Sequence, residues 1–481
     1  MGNSVSKLVS TNLTPLGLLQ TEFCLIKLGG SVLIVDRGEV GLVLAGKKLG
    51  PIAFYKKADG EVLMKRYLEN LPMQCDVKKT ISDFWVSPYT HVYIDIAFSP
   101  KGLPVTTLNY WVGHLIKPAP GDWEIIKTHL LCVICSGDED LYSYLIRFLA
   151  HMVQFPEQKP GVMVTMLGKQ GTGKGMFFEV LRRIWPMSTL LVSDLNQIIG
   201  QFNAVLGHSY VVIMDEAMFS GDRKSQDRMK SLITEKTCQI EQKHQPSRTI
   251  ESVHRFFASS NHDHFSHVEA DDRRSLFIRV SDEKQNDSNY FRQLAMAIDD
   301  DSVIAAMIYY LANVDLTNFN VRVRPLTNEH SAQKLRSLQG FDRYWYEVLT
   351  TGNFGCGQYA ANPWQTGGFI PTRTMLQGCI DYDKRAQRYA AMQTSEISRA
   401  LIRLCPSALA ARKSIQNTQH RGYVLPSIFT ARKEFEDAYK CPVNWGEGAY
   451  DSVENDHQEK IEEMIASVAI SCHVNRQVQC Q

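Results

Sequence analysis

The chain has 481 residues, of which 44% are hydrophobic and 21% are charged, and its formal net charge is +1. This composition is that of a globular protein, and the length is enough for about three domains. The balanced charge excludes a uniformly basic nucleic-acid coat protein, so contact with nucleic acid must come from local basic patches. The eleven cysteines are scattered and odd in number, which indicates free thiols rather than a disulfide framework.

Residues 1–20 are rich in Ser, Thr and Asn, and they predict a flexible leader. The first six residues match the short myristoylation pattern, which is so permissive that we expect it not to be used. No apolar run reaches the roughly 18 residues of a membrane span, and no signal-peptide pattern opens the chain. We therefore expect a protein of the cytoplasm, in the host cell or at a site of viral replication, without a membrane partner.

Residues 21–122 predict an N-terminal α+β domain. Short β-branched segments are separated by Gly29-Gly30 and Asp59-Gly60, so the stretch from Phe23 onward, including 60–68, is predicted to form strands and hairpin turns. A priming active site would need closely spaced carboxylates to hold metal ions, and Asp95 stands alone. The pattern therefore leaves the role of this domain open and does not predict priming chemistry.

Apolar residues at helical spacing predict two helices between Trp123 and Phe155, with a break at Gly137. A short apolar strand follows from Val162, and it runs into a glycine-rich loop and then a helical pattern. A strand, a glycine-rich loop and a helix in this order are the context that a phosphate-binding loop requires. The residues of the predicted loop are Gly168, Lys169, Gln170, Gly171, Thr172, Gly173, Lys174 and Gly175.

The residue types of this loop suit the phosphates of ATP. Glycines let the backbone turn tightly and point successive N–H groups at phosphate oxygens. The positive end of the following helix faces the same anion, and Lys174 can reach the terminal phosphates. The usual pattern has Ser or Thr after the lysine to hold magnesium, whereas this chain has Gly175. Thr172 or a water molecule is the expected substitute.

A second apolar strand, from Tyr210, ends in Asp215 and Glu216. An acidic residue at the carboxyl end of a buried strand lies in the crevice where ligands bind in such sheets. Asp215 is predicted to hold Mg²⁺, directly or through water, and Glu216 to polarise the attacking water molecule.

A basic segment follows, with a helical pattern and then an alternating pattern typical of a β-hairpin. It carries Lys230, Lys243 and Arg248, and Gln245–Ser247 form the predicted tip. A basic hairpin on a nucleotide-binding core is a candidate nucleic-acid finger, and a solvated charged hairpin is the alternative.

The strand His254–Ser260 ends at Asn261, where a polar side chain can sense the terminal phosphate and orient water. Arg273 and Arg274 precede the next predicted strand. Either of them can serve as an arginine finger that stabilises transition-state charge at a neighbouring subunit's nucleotide. Structural ion pairing is the alternative function of these arginines.

Near the C-terminus, a helix over 392–404, a strand pair and a helix over Ile428–Tyr439 predict a winged-helix module. An unrelated helical cap is the alternative. The residues from about 451 form a polar tail with one short predicted helix. The basic residues of the predicted module are Arg399, Arg403, Arg412, Lys413, Arg421, Arg432 and Lys433.

The motifs GKQGTGKG, VVIMDEA, FFASSN and DDRR, in this order, resemble a superfamily 3 helicase of the AAA+ class. The resemblance is greatest to the helicase portion of phage, plasmid and large DNA-virus primase–helicases, and it covers residues 161–280. It implies an α/β fold in which an AAA+ P-loop NTPase core, 123–320, follows the N-terminal domain. A winged-helix-like DNA-binding domain, 321–450, and the tail, 451–481, complete the predicted organisation.

The resemblance also implies a homo-oligomeric ring, usually a hexamer, with ATP and Mg²⁺ between neighbouring subunits. Hairpins would track single-stranded DNA, Lys243 would contact its phosphates, and unwinding would run 3′→5′. Asn261 would be the sensor, and Arg273 or Arg274 the finger. A primase or polymerase acting in trans is a further expected partner.

The resulting hypothesis is an ATP-dependent replicative DNA helicase of a viral or mobile genome. One alternative is an RNA-directed motor of the same superfamily. The other is a non-translocating AAA+ switch that binds DNA at an origin and recruits a separate helicase.

Overall fold

The computed structural model describes residues 14–28, 30–44, 52–215, 223–241, 247–261, 272–355, 368–385, 393–415 and 417–445. These residues divide into two compact units, one within 1–265 and 273–327 and the other within 266–272 and 328–481. The boundaries predicted at residues 122 and 320 stay predictions. No helix in the described part of the chain is both long and apolar enough to cross a membrane.

The N-terminal part of the first unit contains a four-stranded sheet with the order β3-β2-β1-β4. Strands β1 and β2 pair in antiparallel fashion from Phe23 opposite Asp36 to Leu28 opposite Ser31, which confirms the predicted hairpin. The elements are α1 Pro15–Glu22, β1 Phe23–Leu28, β2 Ser31–Asp36, α2 Arg37–Leu44, β3 Phe54–Tyr55, α3 Lys57–Glu69, α4 Val77–Val86, β4 Val92–Tyr93, β5 Asp95–Ala97 and β6 Thr107–Asn109.

Two predictions for this region were wrong. Residues 60–68, predicted as a strand, lie in helix α3, because Met64 and Leu68 share one buried helix face. Gly60 marks close packing rather than a turn, since a Cβ atom there would lie 2.4 Å from Cδ1 of Ile34. The end of the predicted leader is also ordered: Thr14 caps helix α1, and its Oγ1 accepts a hydrogen bond from the Gly17 N–H at 3.2 Å.

The centre of the first unit is a five-stranded sheet with the order β13-β7-β12-β9-β8, in which all neighbours are parallel. Parallel strands covered on both faces are apolar throughout, and every residue of β7 and β12 is buried. The strands are β7 Met163–Leu167, β8 Thr189–Val192, β9 Val211–Asp215, β12 Arg255–Ser260 and β13 Ser275–Arg279.

Helices cover this sheet. The two helices predicted before the phosphate loop are confirmed; the first begins as α5 and continues as a π-helical segment, His129–Ile134. A short antiparallel hairpin, β10 and β11, leaves the sheet before β12. The remaining elements are α5 Glu124–Thr128, α6 Glu139–Gln154, α7 Lys174–Ile184, α8 Asn196–Ile199, α9 Arg223–Thr234, β10 Thr237–Ile240, β11 Arg248–Glu251, α10 Ser288–Asp299 and α11 Asp301–Ala312, with a 3₁₀ turn at Ala204–His208.

The second unit has its own apolar core and a three-stranded antiparallel sheet with the order β14-β16-β15. The predicted sequence of helix, strand pair and helix is confirmed as α15, β15, β16 and α16. The elements are α12 Asn328–Arg336, α13 Gly340–Thr351, β14 Phe369–Pro371, α14 Thr372–Arg385, α15 Thr394–Leu404, β15 Leu409–Ile415, β16 Thr418–Val424 and α16 Ile428–Tyr439.

Candidate nucleotide-binding site

The parallel register brings the predicted site residues to one edge of the central sheet. Leu167, the last residue of β7, lies opposite Ser260, and Asp215, the last residue of β9, lies opposite Ser259. The glycine-rich loop, Asn261 and Asp215 therefore all lie at the carboxyl ends of neighbouring strands. This is the position of ligand sites in open α/β sheets.

The glycine-rich loop joins β7 to helix α7, as predicted. Gly171 and Gly173 have φ angles of 75° and 101°, in the left-handed region that favours glycine. Gly173 is the N-cap of α7. The first N–H groups of a helix have no partner within it, so this helix end presents donors toward the loop.

Lys174 projects into the loop rather than into solvent, and only 7% of its surface is exposed. Its Nζ donates to the carbonyl oxygens of Gly168 at 2.6 Å and Lys169 at 2.7 Å. It also donates to Oδ1 of Asn261 at 2.9 Å. The predicted phosphate-binding cation and the predicted sensor are thus in direct contact across two neighbouring strands.

Asp215 is exposed, and its Oδ1 accepts a short hydrogen bond from the Ser259 hydroxyl. Ser259 and Asn261 are two residues apart on one chain segment, so the same strand positions both the carboxylate and the amide. Glu216, predicted to polarise water, lies outside the described residues.

The donor set at this edge fits a Mg²⁺ ion. Mg²⁺ is commonly held by one or two carboxylates together with water and substrate phosphates. Asp215 supplies one such carboxylate. Among the described residues, no group of three or more His, Cys, Asp and Glu side chains could hold a metal ion by itself.

The two substitutes considered for the missing hydroxyl at Gly175 differ in accessibility. Thr172 is 1% exposed, and its Oγ1 donates to the carbonyl oxygen of Lys169 at 2.9 Å. A Cβ atom at Gly175 would meet nothing within 4 Å, so the space beside that residue is open. The Thr172 hydroxyl is thus engaged within the loop, whereas the space beside Gly175 is open.

A segment just before α10 holds the outer side of the loop. The Lys169 ammonium pairs with Asp282 at 2.6 Å, and Nε2 of Gln285 donates to the carbonyl oxygen of Gln170 at 2.7 Å. The buried His129 lies against Gly173, 3.2 Å from its carbonyl oxygen.

The two candidate finger arginines lie at the opposite edge of the sheet from the loop. Arg273 is exposed and Arg274 is half-buried, and the carbonyl oxygen of Arg274 accepts from the Met163 N–H at 2.8 Å. Met163 is the first residue of β7, and the glycine-rich loop follows the last residue of that strand. The length of that strand, about 16 Å at about 3.3 Å per residue, separates these arginines from the loop of their own chain.

The predicted basic hairpin between α9 and β12 is confirmed, because β10 and β11 pair there in antiparallel fashion. Arg248 begins β11 and is exposed, opposite Ile240. Lys230 is half-buried on α9, where its Nζ lies 3.3 Å from the Asp227 carboxylate. Lys243, predicted on the hairpin just before its tip, lies outside the described residues.

Sequence reasoning missed two polar residues of the site. Ser259 stands within the FFASSN motif, and its place two residues before Asn261 on a strand was the available signal. His129 lies in the helix before β7, 44 residues from Gly173 in the chain. An apolar helical pattern gives no indication that a histidine within it reaches the loop.

Comparisons with known proteins agree on this region. The model of a family of unknown function, DUF5906, matches residues 166–274, the stretch that contains every predicted site residue from Gly168 to Arg274. A protein of Nitratiruptor phage NrS-1, named a DNA primase-polymerase, is 32% identical over 172 residues. That alignment covers 34% of this chain and 23% of the phage protein, so less than a quarter of the relative is matched.

The fold is similar to solved structures of the C-terminal region of the NrS-1 protein. One apo structure superposes with a TM-score of 0.59 at 17% identity, covering 86% of this chain and 100% of that one. A second apo form gives a TM-score of 0.59 at 18% identity, covering 85% and 98%. The architecture described above is therefore shared with that C-terminal region.

Proposed function

We propose that this chain is an ATP-dependent replicative DNA helicase of a viral or mobile genome, of the superfamily 3 type. The observation that carries the proposal is the convergence of Lys174, Asn261 and Asp215 beside the glycine-rich loop, at the carboxyl edge of a parallel sheet. A cation, a neutral sensor and a carboxylate at such a loop are the groups that nucleoside triphosphate hydrolysis needs.

Each group has a role in that reaction. The N–H groups at the start of α7 and the Lys174 ammonium bind the phosphates. Asn261, held by Lys174, would contact the terminal phosphate. Asp215 would hold Mg²⁺, which neutralises charge on the phosphate oxygens when it is bound. Glu216, the next residue in the chain, would take the proton of the attacking water.

The strand order supports an AAA+ core. Strand β12 lies between the loop strand β7 and the acidic strand β9, rather than outside them. This insertion places Asn261 between the loop and Asp215, which suits a sensor of the terminal phosphate.

The position of the arginines supports a ring. Arg273 and Arg274 precede β13 at the amino edge of the sheet, away from their own loop. An arginine finger there can serve only a neighbour's nucleotide. We therefore propose that ATP is hydrolysed between subunits of a homo-oligomer, with a hexamer as the expected ring.

DNA is the proposed polymer, and the phage relative named a DNA primase-polymerase supports this choice. In the first unit, the hairpin β10–β11, with Arg248 on one strand and Lys243 beyond the described strands, would follow a single strand. Lys230, on the helix before the hairpin, would add a phosphate contact.

In the second unit, the hairpin β15–β16 has the charge pattern of a winged-helix wing. Arg412 lies directly opposite Arg421, and Lys413 opposite His420. Like charges placed opposite each other destabilise a hairpin, unless a polyanion lies against them. Nucleic-acid phosphates are such a polyanion.

Two other basic residues of this unit have structural contacts instead. Arg403 donates to the Asp342 carboxylate at 2.6 Å and 2.5 Å. Nε of Arg432 donates to the carbonyl oxygen of Leu349 at 3.0 Å. The proposed DNA contacts therefore centre on the hairpin.

Strand displacement tests the proposal. The wild type with MgATP is expected to separate a forked DNA duplex that carries a 3′ single-stranded arm. Lys243→Ala is expected to lose this activity, because the hairpin charge at this position would no longer hold the phosphate backbone. Lys236→Ala, which removes a positive charge at the exposed base of the same hairpin, is the matched control and should unwind normally.

Two outcomes would contradict the DNA helicase proposal, and a third would contradict the role of the hairpin alone. Hydrolysis of ATP without strand separation would favour the non-translocating switch. Separation of RNA duplexes in preference to DNA would favour the RNA-directed motor. Normal unwinding by Lys243→Ala would contradict the assignment of Lys243 to the DNA-binding surface.

A further inference from the structure

We propose that His129 is a positioning residue for nucleotide binding, which holds the last residue of the glycine-rich loop, Gly173, in its left-handed conformation. This inference deepens the proposed function and rests on the loop binding a nucleoside triphosphate. His129 touches neither the phosphates nor the attacking water in this account; it acts through Gly173.

The contact begins with packing. Gly173 has a φ angle of 101°, and the His129 ring lies on the side of the residue where a side chain would project. A Cβ atom on Gly173 would be 2.6 Å from Cε1 of His129 and 3.1 Å from Cε1 of Phe291. The imidazole therefore fills the volume that a side chain at this position would need, and the loop residue must be glycine.

A hydrogen bond fixes the orientation of the same residue. Nε2 of His129 lies 3.2 Å from the Gly173 carbonyl oxygen, and Nδ1 lies 2.9 Å from the Tyr290 hydroxyl. A carbonyl oxygen can only accept, so Nε2 carries the proton and Nδ1 accepts from Tyr290. The ring is thus held from both sides in one tautomer.

Burial keeps both partners in the protonation states that this arrangement needs. His129 is 0% exposed, and burial lowers its pKa to about 4. Burial likewise raises the pKa of Tyr290 to about 12, so the hydroxyl keeps its proton. At neutral pH the network contains a neutral imidazole, a neutral phenol and a carbonyl, all hydrogen-bonded.

The orientation of the Gly173 carbonyl decides where the next N–H group points. In a planar trans peptide the carbonyl and the following N–H point in opposite directions. The Gly173 carbonyl also accepts from the Met176 N–H at 3.1 Å and from the Phe177 N–H at 3.4 Å. The bond from His129, which comes from outside helix α7, is a third constraint on this carbonyl and on the direction of the Lys174 N–H toward the loop.

The local backbone of His129 fits a specialised role. His129 begins the π-helical segment that ends at Ile134, in which the Cys135 N–H donates to the Leu130 carbonyl oxygen five residues earlier at 2.9 Å. Single π-helical turns occur frequently at functional sites. Here the π-helical segment begins at His129, the residue that reaches the loop.

Two variants that differ by one methylene test this role. Gln places its amide nitrogen near the position of Nε2, whereas the shorter Asn places it near Nδ1. His129→Gln should therefore keep a donor to Gly173, and His129→Asn should lose it. Isothermal titration calorimetry with MgATP should give a Kd within about threefold of wild type for Gln and at least about tenfold weaker for Asn.

Turnover separates positioning from general damage to the fold. Because His129 does not touch the reacting atoms, His129→Asn should raise KM for ATP about as much as Kd and lower kcat by less than about threefold. Thermal unfolding without nucleotide monitors folding. If His129→Asn does not fold, Tyr290→Phe removes the hydroxyl that holds the ring and should weaken MgATP binding by about fivefold or more.

The outcomes distinguish this inference from the proposed function. Equal MgATP affinity for wild type and His129→Asn, or for Tyr290→Phe if it is used, would overturn the role of His129 alone. Equally weak binding by His129→Gln and His129→Asn would also overturn it, because the donor would then not matter. No MgATP binding by wild type, with Lys174→Ala indistinguishable from it, would overturn the nucleotide site and the role of His129 together.

Discussion

A cation is buried at each end of the parallel strands in the central sheet, one at their carboxyl ends and one at their amino ends. The two cations differ in what surrounds them. Lys174, 7% exposed, lies at the carboxyl edge, and its Nζ donates to two loop carbonyls and to the side chain of Asn261. Arg255, 0% exposed, begins β12 at the amino edge. The oxygens that these hydrogen bonds reach are all uncharged, so burial and pairing alone do not distinguish the two cations.

The acceptors of Arg255 show that it is a structural cation. Its guanidinium lies 5.0 Å from the centre of the Tyr210 ring and binds carbonyls just beyond the C-terminal end of helix α6. A positive charge near that helix end is stabilised by the helix dipole. The carbonyl oxygens that accept from its two terminal nitrogens are those of Val253, Phe155, Pro156 and Gln158.

Lys174 instead lies among groups that also suit an anion. The loop around it has glycines in left-handed conformations, and the start of helix α7 supplies N–H donors. The comparison teaches that carbonyl acceptors alone do not mark a ligand site, since both cations have them. The glycine-rich loop and the start of a helix beside Lys174 make the difference.

The largest effect should come from Lys174→Ala. We expect it to lower ATP hydrolysis by about 10²–10³-fold, the loss typical when one charge-stabilising donor is removed from an active site. Lys169→Ala is the matched control, because it removes an exposed lysine of the same loop whose partner is Asp282. The steady-state rate of ATP hydrolysis is measured for both variants. Equal losses of rate would contradict the claim that the buried lysine of the loop, and not the exposed one, binds the nucleotide.

Local sequence patterns were sufficient to predict the glycine-rich loop, Asp215 at the end of its strand and Asn261 at the end of the next. Each of these depends on a short apolar run followed by a polar residue. Helix α3 was predicted as strand because the choice depends on packing against Ile34, which a local pattern does not contain. The contact of His129 with Tyr290 joins residues 161 positions apart, and no spacing rule predicts it.

Arg255→Met should lower the stability of the fold and leave ATP hydrolysis nearly unchanged, in contrast to Lys174→Ala. It leaves several buried carbonyls without a donor, and we expect the free energy of unfolding to fall by about 3 kcal/mol. Urea denaturation measures this change. ATP hydrolysis per folded molecule should stay within about threefold of wild type. Arg182→Met, at an exposed i,i+3 pair with Glu179, is the control and should cost less than about 0.5 kcal/mol.

A stability loss as small as that of the control would contradict the structural role of Arg255. A loss of hydrolysis comparable to that of Lys174→Ala would contradict it as well, since it would place Arg255 in the nucleotide site.

Acid should lower the free energy of unfolding, because a neutral histidine is also buried at each end of the strands. Burial lowers the pKa of His129 to about 4 and that of His254 to about 3. In the unfolded chain these groups take up protons below about pH 6.5. The free energy of unfolding should therefore fall as the pH drops from about 6.5 toward 4, by up to about 1.4 kcal/mol per pH unit for each histidine.

Urea denaturation at intervals from pH 7.5 to pH 5 measures this slope. His129→Gln should reduce the slope of the unfolding free energy against pH by the contribution of one proton, because it removes one of the two buried histidines. A stability that stays constant over this range would contradict the buried neutral state of both histidines.

The most direct test of the central claim is ATP hydrolysis measured with and without single-stranded DNA, on wild type and on Glu216→Gln. We expect DNA to raise the wild-type rate and the variant to lose hydrolysis in both conditions. A wild-type rate that is indifferent to DNA, or a Glu216→Gln rate equal to that of wild type, would contradict a DNA-coupled motor built on this site.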